Sequence, residues 1–215
     1  MRINKYLALR TGMSRRSADS VIEQGRVLIN GTPVQAGQQV AEQDSVTLDG
    51  KPVLPRTQTQ TILLHKPAGY VVSRNGQGSK TVYDLLPSEL LSLKPIGRLD
   101  KDSSGLLLLT NDGQLANQLT HPSFQKQKVY QVTIDRPLTA SDKQAIEHGV
   151  QLDDGMSALI LQGNDHTWKV TMSEGRNRQI RRTFEAKGYT VTKLHRIQFG
   201  EYSLGDTPPG TYICI

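Results

Sequence analysis

Cysteine is nearly absent: Cys214 is the one thiol in 215 residues. That excludes an internal disulfide framework and fits a reducing compartment. The five histidines, His65, His121, His148, His166 and His195, are scattered without ligand spacing, and the lone cysteine has no partner, so no metal centre is expected. A P-loop, a dinucleotide fingerprint and a nucleophile elbow are all missing, so no organic cofactor is expected either. No apolar run approaches a membrane span, and the first helical stretch carries Arg2, Lys5 and Arg10 without a signal-peptide core. A cytoplasmic protein without a membrane partner is the expectation. Carboxylates are also in deficit, 20 against 26 Lys and Arg, giving a formal net charge of +6. A surplus of that sign favours a polyanionic partner, although it says nothing about fold.

The stretch Gly97-Arg98-Leu99-Asp100-Lys101-Asp102-Ser103-Ser104-Gly105 runs into Leu106 to Leu109 and closes on Thr110-Asn111-Asp112-Gly113. Four leucines between glycine-containing turns predict a short, fully buried strand. The polar loop ahead of it carries an arginine and two carboxylates, and loops anchored on buried elements commonly present reactive groups. The same residues are also compatible with a surface turn of local side-chain-to-backbone hydrogen bonds. The alternation Asp100-x-Asp102-x-Ser104-Gly105 imitates the start of a calcium loop. The bidentate glutamate such a loop needs at its end is replaced by Asn111, which excludes it.

Toward the N-terminus, Ile3, Tyr6 and Leu7 have helical spacing, and Ser14 can cap a second helix whose Ala18, Val21 and Ile22 share a face. Val27 to Ile29 read as a strand, and Asn30-Gly31 is a strong hairpin turn. This helix-helix-hairpin unit carries Arg2, Lys5, Arg10, Arg15, Arg16 and Arg26, opposed before residue 30 by Asp19 and Glu23 alone. A Pro/Thr/Gln-rich linker is predicted over 51–60, separating residues 1–50 from 61–215. Beyond it, strands are predicted at Thr61 to Leu64, at Val71–Val72, and at Lys128 to Ile134, where Tyr130, Val132 and Ile134 share a face. Helices are predicted after Asp112 and Thr139, and further strands at Trp168 to Met172, Val191 to Ile197 and Thr211 to Ile215.

The segment Glu174 to Glu185 is read as one helix with Ile180 and Phe184 facing the core. On that reading Arg178 and Arg182 point away, and Arg181 lies on the flank, ~100° from Ile180, where it can reach a cleft. Taken with Arg176, these cations also suit nonspecific phosphate contact.

Two resemblances organise these pieces. Arg2-Ile3-Asn4-Lys5-Tyr6-Leu7, Ser14-Arg15-Arg16-x-Ala18-Asp19 and Gly25-x-Val27-x-Ile29-Asn30-Gly31 resemble the RNA-binding module of the fourth small-subunit ribosomal protein. Lys66-Pro67-x-Gly69, the Gly97–Gly113 stretch, Lys128-x-Tyr130, Glu174 to Arg182, and Leu194 with Arg196 resemble in order the RNA pseudouridine synthases of the RsuA-like branch. Departures are small: Thr183 stands where methionine is common, and His195 occupies a variable slot.

The resemblance implies an α+β protein in which a small N-terminal helix-helix-hairpin RNA-binding domain precedes a mixed, largely antiparallel-sheet pseudouridine synthase domain. It implies an enzyme that isomerises a specific uridine of ribosomal RNA to pseudouridine with a catalytic aspartate and no cofactor. Asp100 is then the catalytic carboxylate, a choice over Asp102 that only the resemblance makes. Arg181 would pair with Asp100, Tyr130 would stack on the base and serve the ring proton, and Leu194 would wall the pocket. Arg98 would fill the stack vacated by an extruded nucleotide, with Arg176, Arg178 and Arg182 helping to bind RNA. The implied partner is ribosomal RNA or a ribosome assembly intermediate, met by a monomer. A noncatalytic RNA binder on a synthase scaffold and a hydrolase using Asp100 and Asp102 as an acid-base pair are the competing readings.

Overall fold

The structure, a computed structural model, describes residues 1–54 and 59–215. These fall into two compact units, residues 1–60 with 111–113, and residues 61–110 with 114–215. The first unit opens with α1 (Ile3–Thr11), which buries Ile3 and Leu7 and ends where Gly12 takes a left-handed conformation and donates to the Ala8 carbonyl. Helix α2 (Arg15–Glu23) is capped by Ser14, whose hydroxyl accepts from the Ser17 amide at 2.9 Å. Strands β1 (Val27–Ile29) and β2 (Thr32–Pro33) are joined through Asn30 and Gly31, both at positive φ, as a tight hairpin turn of this kind requires. Strands β3 (Val46–Leu48) and β4 (Lys51–Pro52) complete a four-stranded sheet in the order β2-β1-β3-β4.

The expected linker therefore begins too early at residue 51. Lys51 and Pro52 pair with Leu48 and Thr47, and the Val53 amide donates to Val46. The Asp49–Gly50 turn, with both residues at positive φ, returns the chain antiparallel onto β3 before the polar run starts. Residues 55–58 of that linker lie outside the described residues.

The second unit is built on a mixed nine-stranded sheet. Its continuous order is β11 (Ile160–Asn164), β12 (Thr167–Met172), β8 (Lys128–Ile134), β13 (Val191–Phe199), β7 (Ser104–Thr110), β5 (Thr61–Lys66) and β15 (Tyr212–Cys214). The short β6 (Lys94–Pro95) pairs with β7, and β14 (Tyr202–Ser203) with β13. The β13–β7 contact is parallel, and the other pairings are antiparallel. Helices α3 (Gly113–Thr120), α4 (Ala140–His148) and α5 (Gln179–Glu185) connect the strands, and β9 (Val150–Leu152) pairs with β10 (Gly155–Ser157) as a separate hairpin.

Strand β7 explains why four consecutive leucines are stable here. Leu107 and Leu109 join the cluster that holds Val132, Leu194, Ile180 and Phe184, whereas Leu106 and Leu108 join Leu63, Ile96, Leu119 and Phe199 on the opposite face. All four leucines are fully buried. At about 1.5–3 kcal/mol for each buried leucine side chain, this strand is a rigid base for the loop that precedes it. Val71 and Val72, expected as a strand, contribute only a single bridge from Val71 to Thr81.

Candidate active site

Asp100 opens a turn, closed by the Ser103 amide donating to the Asp100 carbonyl at 3.1 Å, that leads directly into β7. A second turn grips this one from below. The Gly69 amide donates to the Lys101 carbonyl at 2.7 Å. Lys66, fully buried at the end of β5, sends its ammonium to the carbonyls of Ser103 (2.6 Å), Pro67 (3.0 Å) and Lys101 (3.4 Å). Burial pulls the Lys66 amine down from 10.5 to about 8, while the carboxylates of Asp102 and Asp100 oppose that fall. The Lys66-Pro67-x-Gly69 motif thus has a mechanical role in holding the Asp100 turn. Sequence reasoning did not assign it; because β5 is buried along its whole length, the lysine that ends it must meet acceptors inside the fold.

Gly105, next in β7, sits at φ +107°, and a Cβ there would lie 2.2 Å from the Arg196 carbonyl oxygen. Only a residue without a side chain lets β13 approach this closely. The parallel register sets Arg196 opposite Gly105, and the antiparallel one sets it opposite Tyr130. Tyr130, on β8, is buried, as are Leu194 and Arg196. Asp100, Tyr130, Leu194 and Arg98, together with Met172 and Ile180, line one cleft of about 940 Å³, large enough for a nucleotide.

The arginines are arranged differently from expectation. Arg181 does not pair with Asp100: its Nη2 lies 3.2 Å from the Asp102 carboxylate and donates to the Asp102 carbonyl, and its Nη1 donates to the Val191 carbonyl at 2.7 Å. It bonds to the loop at Asp102 and is not among the residues lining the cleft. The helix expected from Glu174 starts only at Gln179, because Arg178 adopts a left-handed conformation at φ 46° and ψ 30°. A helical wheel therefore does not govern Arg178, which turns into the cleft instead of away from it. Its Nη1 lies 3.4 Å from the Asp102 carboxylate and 3.8 Å from that of Asp100. All three groups are partly exposed, so this pairing contributes little to stability and leaves the arginine free to exchange partners.

Arg176 and Arg182 are occupied. Arg176 donates to the carbonyls of Asp154, Gly155 and Met156 and to the Asp154 carboxylate, and lies 3.1 Å from that of Glu174. Arg182 meets Asp154 at 2.7 Å and the Asn177 carbonyl at 2.9 Å. Together they hold the β9–β10 hairpin, whose three-residue strands turn at Asp153-Asp154 ahead of Gly155, an Asp-Gly cue that the sequence reading did not use. In the N-terminal unit, Arg26 is likewise bound in a two-pronged pair to Asp49, and Arg15 donates to Asn4, while Arg10 stacks on Tyr6. Arg2, Lys5 and Arg16 are exposed there.

The profile of the RNA pseudouridylate synthase family matches residues 60–186, more than half of the chain, and that of the S4 domain matches residues 1–46. This chain belongs to the RNA pseudouridine synthase family. Among the synthases, it is 36% identical to an RNA pseudouridine synthase of Aquifex aeolicus, covering 99% of this chain and 89% of the relative. The ribosomal large subunit pseudouridine synthase B of Bacillus subtilis is 37% identical over 94% of this chain and 87% of its own. The ribosomal small subunit pseudouridine synthase A of Pasteurella multocida is 35% identical, over 96% and 91%. A crystal structure described as a pseudouridylate synthase superposes with a TM-score of 0.72 at 31% identity, covering all of this chain and 96% of that one. The α+β synthase fold and its S4 region are thus shared with a solved synthase. Among the described residues, no helix of this synthase is long and apolar enough to cross a membrane.

Proposed function

We propose that this synthase converts a specific uridine of ribosomal RNA to pseudouridine, with Asp100 as the catalytic carboxylate. One observation carries the reading: Asp100, Tyr130 and Leu194, from three separate stretches of the chain, line the same nucleotide-sized cleft, whereas Asp102 is turned onto Arg181 and Arg178. The isomerisation breaks the N1–C1′ bond of uridine and forms a C5–C1′ bond. The C5 proton leaves, and N1 regains a proton. A carboxylate suits the electron-poor centre, either by covalent capture of sugar or base or by stabilising an oxocarbenium-like sugar. Tyr130 presents a ring for the base to stack on and a hydroxyl for the C5 proton. Leu194 walls the base from water, and Arg98 at the rim is placed to fill the stack left by an extruded nucleotide. Arg181 acts as a positioning residue, through the Asp102–Ser103 backbone.

The two relatives named for ribosomal subunits support ribosomal RNA, free or in an assembly intermediate, as the substrate. Residues 1–50, with Arg2, Lys5, Arg10, Arg15, Arg16 and Arg26, form the RNA grip ahead of a catalytic domain from residue 61. The protein works in the cytoplasm as a monomer. The test is product analysis on ribosomal RNA from a strain lacking this gene, with tritium at C5 of uridine. Tritium release and a pseudouridine that appear with wild-type protein and vanish with Asp100→Asn are expected. Free uracil would point to a hydrolase, and binding without product to a noncatalytic RNA binder.

A further inference from the structure

Lys128 and Arg196 both line the cleft, and neither is paired with a carboxylate among the described residues. Both lie against the same ring: the Lys128 ammonium is 5.1 Å and the Arg196 guanidinium 5.0 Å from the centre of Phe199. Arg196 is 2% exposed and spends its Nε on the Leu106 carbonyl, yet its Nη2 is buried without a hydrogen-bond partner. Lys128 has one bond, to the Glu174 carbonyl at 3.1 Å, leaving donors to spare. Burial and the neighbouring Arg196 both pull its amine below the ordinary lysine value.

A buried cation with an orphaned donor, set beside a half-buried cation of the same sign, is costly unless an anion joins them. A bridging phosphate would satisfy the free guanidinium edge and neutralise the pair by charge-assisted hydrogen bonds. The position fits RNA. Lys128 is two residues before Tyr130 on β8, on the same face and about 7 Å away. A base lying on Tyr130 would have its ribose along the strand and its phosphate toward Lys128. We infer that Lys128 and Arg196, seated on Phe199, form a phosphodiester subsite for the RNA strand entering the cleft.

This inference rests on the nucleotide-in-cleft reading above, but its test does not require turnover. Binding of a short, uridine-containing single-stranded RNA to full-length protein is measured by fluorescence anisotropy across a salt series. Each phosphate neutralised on a single strand adds roughly 0.7 to the log–log salt slope. Lys128→Gln is therefore expected to flatten the slope by about 0.7, so that between ~50 and ~200 mM salt it loses about 2.6-fold less affinity than wild type. Lys128→Arg keeps the wild-type slope. Lys169→Gln, an exposed change on the opposite face of β12, leaves it unaltered. A structural role for Lys128, holding the Glu174 carbonyl, would lower Tm without changing the slope. An unchanged slope in folded Lys128→Gln, or an equal drop in Lys169→Gln, overturns the subsite. A reduced slope with no isomerase product would leave the subsite standing and remove the proposed activity instead.

Discussion

Replacing Lys66 by methionine separates the mechanical role of that residue from its charge. Two opposed effects follow from its surroundings. The carbonyls of Ser103 and Pro67 lose their ammonium donor, whereas Lys101 keeps the Gly69 amide. Each buried carbonyl left unpaired costs about 1–3 kcal/mol. Against this, the wild-type protein holds a charged amine whose value has fallen from 10.5 to about 8. At ~1.4 kcal/mol per pH unit that is roughly 3.5 kcal/mol of unfavourable burial, which methionine removes. Net stability near neutral pH should therefore move by no more than about 3 kcal/mol. The pH dependence is more diagnostic. Because the folded value lies below the unfolded one, the unfolded chain binds the extra proton between about pH 8 and 10.5, and wild-type stability rises with pH across that window. From about pH 7.5 to about pH 9.5 the gain from this residue is about 2 kcal/mol, and Lys66→Met lacks it. Urea unfolding at the two pH values reads the difference directly. Freed from its clamp, the Asp100 turn shifts, and a displacement near 1 Å is enough for a loss on the order of 10²-fold in kcat. A methionine variant with the wild-type pH slope and wild-type single-turnover rate would refute the clamp.

Asp100→Asn should abolish C5 tritium release while leaving RNA affinity and Tm near wild type, because it removes charge and little volume. Arg181→Lys should lower kcat far more than Arg182→Lys, since a lysine cannot span the Val191 carbonyl and the Asp102 carboxylate together as the planar fork does. Equal rates for the two variants would return Arg181 to the surface. Gly105→Ala should be among the most damaging single substitutions in the chain, costing about 3 kcal/mol or more by urea unfolding, because the added methyl meets β13 backbone at a positive φ. Removing residues 1–54 should flatten the salt slope of RNA binding by about two if three phosphate contacts are lost, while the single-turnover rate at saturating RNA stays within about tenfold, ~1.4 kcal/mol of barrier.

How much was legible in the sequence depended on whether a local rule set the outcome. Strand β8 matches its expected bounds to the residue because Tyr130, Val132 and Ile134 alternate with Gln131 and Thr133, a period that Val129 alone interrupts. The leucine strand and the Asn30-Gly31 hairpin followed from equally local chemistry. The Arg181–Asp100 pair fails because Arg181, although helical as expected, is held by the Val191 carbonyl and by Asp102. The helix start is a separate miss, set by the left-handed conformation of Arg178. Nothing in Gly175-Arg176-Asn177-Arg178 signals that reversal. The β9–β10 hairpin has a local cue in Asp154-Gly155, but its strands are only three residues each, too short for an alternation to stand out, and Arg176 and Arg182 tie it down from elsewhere in the sequence. Lys66 was visible as part of a motif, but its partners are carbonyls 35 and 37 residues away, a relation no periodicity carries.

Net charge drew attention to RNA, but it did not say which cations are available to it. Arg176 already engages three carbonyls and two carboxylates, so a phosphate would have to replace bonds that secure the β9–β10 hairpin. Arg182 is tied to the same hairpin through Asp154. Arg178 differs, since its pairs with Asp102 and Asp100 are long and partly exposed, and such contacts are worth at most about 1 kcal/mol. Exchanging them for a phosphate therefore costs little. Lys128 and Arg196 differ again, having no carboxylate to surrender among the described residues. The cations suited to a substrate are therefore those the fold has left weakly paired, and they converge on the cleft that Asp100 faces.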